Sequence, residues 1–286
     1  MHGPPFAADA VMSPEEFSLL RDAIAQRTGL CYPDSARAQL ERRLRDRLAA
    51  LSLRTFSEYY HHLRFSPVAP AEWDELADAL TTNETYFFRE GYQLRAFKNE
   101  LLPALAERGR ARRALSIWSA GCATGEEVYT IAILLHESRL FEGWDVRVFG
   151  SDISRRCVTF ARAGVYREAS FRTTTPEQRR AYFVERPDGV HVQDRIRERC
   201  QFGQLNMLDE PRSRIIGEVD AVFCRNVLIY FDAPARLRAI DAFYQRLRPG
   251  GVLLLGHAES LINVTTAFEL LHLRGDLVYR RPAARL

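Results

Sequence analysis

The sequence predicts an α/β domain with a largely parallel sheet and helices on both faces, preceded by a small all-α domain. Three observations predict it. The first 80 residues carry their apolar side chains at helical spacing only, while from Ala114 onward short apolar runs alternate with helical stretches. A hairpin-like interruption between Tyr166 and Arg199 adds a small β-subdomain inserted into the sheet domain. The expected organisation is a loose, disordered tail over 1–12 and a helical domain over 13–80. A linker and helix follow over 81–113, then the sheet domain over 114–286 with its insertion at about 166–199.

Each element has a local cause. Ser13-Pro14-Glu15-Glu16 is a capping box with proline at the first helical position, and Thr28-Gly29 ends that helix. A second helix over about 36–51 aligns Leu40, Leu44, Leu48 and Leu51 in one stripe. Thr55-Phe56-Ser57-Glu58 opens a third, to about Phe65. The prolines at 67 and 70 break it, and a fourth restarts over 72–80. A further helix begins near Glu90 and closes by Arg113. Strands are expected at 114–119, 146–151, 200–205, 220–224, 252–256 and 277–281, with helices at 126–137, 155–163 and 234–247 between them. A short helix from Pro176 and a turn at Asp188-Gly189 mark the insertion.

Composition narrows the function classes. With 47% hydrophobic residues the chain can bury a sizeable core, and no apolar run approaches the ~18 residues that span a bilayer. The opening residues lack a signal-peptide pattern. Five scattered cysteines without a C-x-x-C pair argue against a disulfide framework or a metal site, and for a reducing cytoplasm. A net charge of +3 does not advertise nucleic-acid binding. Among the basic residues only Lys98 is a lysine, so an arginine-rich stretch is weaker evidence of a binding patch than usual.

The strongest signal is Ser116-Ile117-Trp118-Ser119-Ala120-Gly121-Cys122-Ala123-Thr124-Gly125-Glu126-Glu127: a strand, a glycine-punctuated turn and a helix start. A dinucleotide site needs G-x-G-x-x-G and a helix N-terminus open to pyrophosphate. Here the spacing is G-x-x-x-G, and two glutamates follow at once, which would repel a phosphate and suit a cation. S-adenosylmethionine, with its ammonium and sulfonium, fits that charge; the plainer reading is that the glutamates complement the helix dipole. Asp152, at the end of the second strand, can accept two ribose hydroxyls or merely cap the next helix. Asn206-Met207 and Arg225-Asn226 follow the next two strands, and all of these converge on one sheet edge.

These residues resemble a known family. Thr81-Thr82-Asn83-Glu84-Thr85-Tyr86-Phe87-Phe88-Arg89-Glu90, the turn from Trp118 to Glu127 and Gly150-Ser151-Asp152 are similar to motifs of the CheR chemoreceptor methyltransferases. Cys224-Arg225-Asn226-Val227-Leu228-Ile229-Tyr230-Phe231 and Gly256-His257-Ala258-Glu259 complete the set, in the family's order, from about Ser13 to Arg281. The resemblance implies a class I methyltransferase fold, a Rossmann-like mixed sheet with a small β-subdomain, behind a helical domain. It implies transfer of a methyl group from S-adenosylmethionine to receptor glutamates, releasing S-adenosylhomocysteine. Asn83, Thr85 and Arg89 would reach the cofactor from the linker, with Gly121, Glu126 and Asp152 at its amino acid and ribose ends. Asn206, Met207, Arg225 and Asn226 would complete the adenosine pocket, and Arg89 and Tyr230 would lie nearest the transferred methyl.

The chemistry needs no general base, because a glutamate carboxylate is ionised at neutral pH. Arg42, Arg43, Arg45 and Arg47 flank and oppose the leucine stripe of the second helix, a basic face suited to acidic methylation helices of receptors; the alternative is a solvated face in an arginine-biased chain. The turn Arg186-Pro187-Asp188-Gly189 is tight, shorter than expected of family members whose β-subdomain grips a receptor tail, so recognition without that tether is expected. A cytoplasmic monomer that neither binds nucleic acid nor inserts in a membrane is expected. The competing readings are a class I methyltransferase for nucleic acid or a small molecule, and a non-catalytic cofactor-sensing adaptor. An NAD reductase ranks last on spacing and charge.

Overall fold

The computed structural model describes residues 10–283. The chain divides into two compact units: the chain up to Thr82 with Tyr230–Arg236, and Asn83–Ile229 with the chain from Leu237 onward.

The first unit holds helices α1 (Pro14–Thr28), α2 (Arg37–Ala50), α3 (Phe56–Phe65) and α4 (Ala69–Leu80). Both capping boxes form: Ser13 and Thr55 accept the N–H of Glu16 and Glu58, whose carboxylates accept the cap N–H in return. α1 ends at Gly29, whose φ of 80° is left-handed. Leu40, Leu44 and Leu48 of α2 are fully buried against Leu20, Tyr59 and Leu76. α4 starts three residues earlier than the sequence suggests, because Pro70 falls in its first turn, where a missing N–H costs no hydrogen bond. Residues 1–9 of the expected tail lie outside the described residues. Met12, at its end, is buried, and its N–H donates to Glu41.

The second unit opens with α5 (Gly91–Ala96), a π-helical turn at Phe97–Leu101 and α6 (Leu102–Gly109), so the helix expected to reach Arg113 stops four residues short. There follow β1 (Ala114–Ala120), α7 (Glu126–Ser138), β2 (Asp145–Asp152), α8 (Arg155–Ala163), β3 (Val165–Tyr166), α9 (Pro176–Tyr182), β4 (Phe183–Arg186) and β5 (Gly189–Val192). The chain continues through α10 (Asp194–Arg197), β6 (Cys200–Gln204), α11 (Glu210–Ser213), β7 (Val219–Cys224), α12 (Ala233–Arg246), β8 (Leu247–Leu255), β9 (Glu269–His272) and β10 (Leu277–Arg280).

Seven strands form one sheet in the order β6-β2-β1-β7-β8-β10-β9. The first five run parallel; β10 is antiparallel to both β8 and β9. From β1 the chain moves outward to β2 and β6, then crosses back to β7 on the other side. That reversal places a ligand crevice at the carboxyl ends of β1, β2, β6 and β7. Trp118 anchors the sheet: fully buried, it stands edge-on to Phe243 at 5.4 Å and donates its indole N–H to Ser151 Oγ at 2.8 Å. The insertion is a small antiparallel sheet, β3-β5-β4. Its tight turn spans Arg186 to Gly189, which pair with each other across Pro187-Asp188.

Candidate active site

Chain reversal at the end of β1 builds the crevice floor. Gly121 has φ 79° and Gly125 φ 95°, conformations that favour glycine, and Ala123 between them is also left-handed. The bend is pinned to β2: Gly121 and Cys122 donate to the carbonyl of Ser151 at 2.8 and 2.9 Å, and Ala123 N–H donates to Asp152 Oδ2 at 2.8 Å. The other Asp152 oxygen accepts Ser154 N–H, also at 2.8 Å. This aspartate therefore ties the bend to the turn leading into α8, whose N-cap is Ser154.

The adjacent glutamates opening α7 have different surroundings. Glu126 is buried, and its carboxylate accepts from Thr124 Oγ1 at 2.7 Å and from Ser170 Oγ of the insertion at 2.8 Å. Burial pushes its carboxyl above the ordinary value. Glu127 instead accepts from Ser119 Oγ at 2.7 Å and from Arg225 Nη1 at 3.0 Å. Both glutamates thus stand at the bend with different partners, Glu126 towards the insertion and Glu127 towards Arg225.

Arg225 is the hub. Its side chain is 2% exposed, and it bridges Glu127 and Glu90, the latter at 3.1 Å. Its Nη2 also donates to the backbone carbonyl of Arg89 at 2.7 Å. Glu90, left-handed at φ 57°, further contacts Asn226 Nδ2 and His257 Nδ1, each at 3.4 Å. Burial alone would raise the Glu90 carboxyl; the Arg225 guanidinium, with His257 and Asn226, more than offsets this and holds it below the usual range. A depressed carboxyl contributes stability above its unfolded value, and that contribution is lost as pH falls through the folded value. Glu90→Gln is therefore expected to cost about 2 kcal/mol at pH 7. The gap to the parent should close as pH falls below 4.5, which urea midpoints at pH 7 and in acid would measure.

The loop after β7 is held by Glu259. Its carboxylate accepts backbone N–H groups from Gly256 at 2.7 Å, Asn226 at 2.8 Å, Val227 at 2.9 Å and Ile229 at 3.3 Å. This clamp sustains Asn226 at φ 60°. Asn226 Oδ1 is buried and finds no partner among the described residues. After β6, Asn206 closes its own turn by accepting Leu208 N–H at 3.0 Å, and Met207 is buried.

Asn83 and Thr85 lie half-buried in the irregular segment that leads to Arg89. Arg89 donates to the Glu84 carbonyl at 2.8 Å and stands over the Tyr86 ring at 5.7 Å. Tyr230 belongs to the first unit, in a single turn, where it is 39% exposed and its carbonyl accepts Cys31 N–H.

The arginines of α2 are largely engaged within their own unit. Arg47 forks onto buried Glu72 at 2.6 and 2.9 Å, Arg43 donates to the Leu80 carbonyl and Thr82, and Arg45 pairs with Glu41. Arg42 is the exposed member of the set. Neither Glu90 nor Glu259 was singled out from sequence as a site residue, although both lie inside the motifs quoted above.

S-adenosylmethionine is cationic, and this crevice fits it. Glu90, Glu127, Asp152 and Glu259 outnumber Arg225 and Arg89, and a buried acceptor without a partner among the described residues, Asn226 Oδ1, stands ready for a donor. Sheet order and crevice chemistry together define a class I S-adenosylmethionine-dependent methyltransferase. Residues 15–81 match the family model described as CheR methyltransferase, all-alpha domain, and residues 83–276 the one described as CheR methyltransferase, SAM binding domain. The chain belongs to the CheR methyltransferase family. Chemotaxis protein methyltransferase 2 of Vibrio cholerae is 35% identical over 277 residues, covering 96% of this chain and 95% of that protein. The chemotaxis protein methyltransferases of Klebsiella aerogenes and Escherichia coli are 37% and 34% identical over 274 residues, 94% of this chain and 90% and 91% of theirs. Among the described residues no helix is long and apolar enough to cross a membrane.

Proposed function

We propose that this methyltransferase esterifies glutamate side chains in the cytoplasmic methylation helices of chemoreceptors. The observation that carries the reading is a half-buried arginine, Arg89, whose backbone is bonded to the hub of an otherwise acidic crevice. An arginine there offers a planar fork to a carboxylate substrate, and a carboxylate needs no base to become a nucleophile. The name of the relatives, chemotaxis protein methyltransferase, points to the same pathway.

S-adenosylmethionine supplies an electrophilic methyl on a sulfonium. Glu127 is the acid we assign to the cofactor's ammonium, since the Glu126 carboxylate is enclosed by Thr124 and Ser170. Asp152 receives the ribose hydroxyls, Gly121 lets the ligand approach the backbone, and Asn206, Met207 and Asn226 receive the adenine. Asn83 and Thr85 contribute from the linker. Arg89 orients the incoming carboxylate at near-attack distance, roughly 3 to 3.5 Å from the carbon it attacks. Tyr230 is proposed on family resemblance to lie beside the transferred methyl. Acidic receptor helices dock on α2, with exposed Arg42 as first contact and Arg43, Arg45 and Arg47 adding to the local field.

The test is incubation with methyl-labelled S-adenosylmethionine and a receptor cytoplasmic fragment. Label released by mild base marks a carboxyl ester; base-stable label means a different nucleophile. Arg89→Ala is expected to slow transfer roughly 100-fold, the scale of one lost transition-state donor. Arg89→Lys should recover little, because a point charge cannot reproduce the fork.

A further inference from the structure

The insertion does more than cover the sheet. Its turn at 168–173 is fastened on two sides, and each side leads to a wall of the crevice. Towards the linker, Ser170's carbonyl accepts Phe87 N–H at 2.9 Å, and Thr173 Oγ1 donates to the Phe87 carbonyl at 2.7 Å. The Phe87 ring is fully buried among Tyr166, Phe171 and Phe183, at centroid distances of 4.7 to 5.1 Å. Arg172 pairs with Glu84 at 2.7 Å and stacks over Tyr86 at 3.7 Å. Arg89 is thus two residues from a segment that the insertion holds by backbone, ring and charge.

Towards the glycine bend, Ser170 Oγ donates to Glu126 Oε1 at 2.8 Å, and the other Glu126 oxygen takes Thr124 Oγ1 at 2.7 Å. Tyr166 OH donates to the Thr124 carbonyl at 2.6 Å. Thr130 Oγ1 completes the circuit, donating to the Glu126 carbonyl and accepting Phe88 N–H. One serine therefore joins the linker through its backbone and the cofactor bend through its hydroxyl.

We infer that the 168–173 turn is a latch that sets the spacing between the cofactor bend and the Arg89 segment, with Glu126, Ser170 and Arg172 as positioning residues. The first glutamate of the Glu126-Glu127 pair then serves the latch, and only the second faces ligand. The inference rests on the crevice binding S-adenosylmethionine and is independent of which nucleophile receives the methyl.

Calorimetric titration with S-adenosylhomocysteine separates the two roles, because it needs no substrate. Ser170→Ala and Glu126→Gln are each expected to weaken binding about 3- to 10-fold, the scale of one lost hydrogen bond. The double variant should be no weaker than the worse single one, since both act through the same bond. Ser170→Thr, which keeps the hydroxyl, should restore affinity, a recovery that a purely structural role would not require. Parental affinity in Ser170→Ala alongside a loss in Glu126→Gln would mean Glu126 touches the ligand directly, and would overturn the latch. Fully additive losses would also overturn it. Should Glu126→Gln fail to fold, Arg172→Ala at its exposed site decides: weaker binding at an unchanged melting temperature supports the latch, and parental affinity overturns it.

Discussion

Replacing Arg225 with methionine is expected to destabilise the second unit by about 3 kcal/mol and to abolish measurable binding of S-adenosylhomocysteine. The guanidinium is almost completely enclosed, between carboxylates only 11% and 14% exposed. Taking it away does not remove an ion pair; it leaves Glu90 and Glu127 ionised and close together in a poorly hydrated space. One of them must take up a proton or the loop must open. Either outcome also frees the Arg89 carbonyl that Arg225 holds at 2.7 Å. Arg225→Lys should recover part of the stability but little of the binding, because one ammonium cannot serve both carboxylates and the carbonyl in a fixed plane. Urea denaturation and calorimetry read the two effects separately. Parental stability in Arg225→Met would show that the hub is dispensable.

Gly121→Ala is the second large effect. At φ 79° an alanine pays about 1 to 2 kcal/mol in backbone strain. Its new Cβ would also lie 2.6 Å from Val227 Cγ2 and 3.2 Å from Cγ1. Val227 cannot retreat freely, because its N–H is bonded to Glu259 at 2.9 Å. Overlap of this kind costs about 1 to 3 kcal/mol. We expect a total of about 2 to 5 kcal/mol together with a loss of cofactor affinity as the Asn226 wall shifts. Adding Val227→Ala should relieve the overlap and leave the backbone term, so the double variant should be more stable than Gly121→Ala alone. If it is not, the contact with Val227 is not what excludes a side chain.

Much of the architecture could be read from local chemistry. The capping boxes at Ser13 and Thr55 and the glycine bend state their own conformations, and the parallel strands appear as apolar runs. What sequence could not show depends on partners far along the chain. β9 is a short strand of mostly exposed residues near the carboxyl end, with no run or alternation to announce it. Pro70 reads equally as a breaker or as a first-turn residue until the chain around it is seen. Glu126 and Glu127 are one residue apart, which on a helix is a turn of about 100°; nothing local says which of them meets Ser170 and which meets Arg225. The helical wheel of α2 correctly separates the leucines from the arginines. It cannot reveal that Glu72, 25 residues away, waits for Arg47. Glu90 and Glu259 escaped notice for the same reason, since their importance lies in bonds to Arg225 and to the loop after β7.

Because a single carboxylate, that of Glu259, ends peptide dipoles drawn from two separate loops, those loops behave mechanically as one piece. A change that lengthens or tilts either is transmitted to the other without passing through the sheet. Sequence variation would then be tolerated most easily where that rivet does not reach, while the two loops it joins stay stiff.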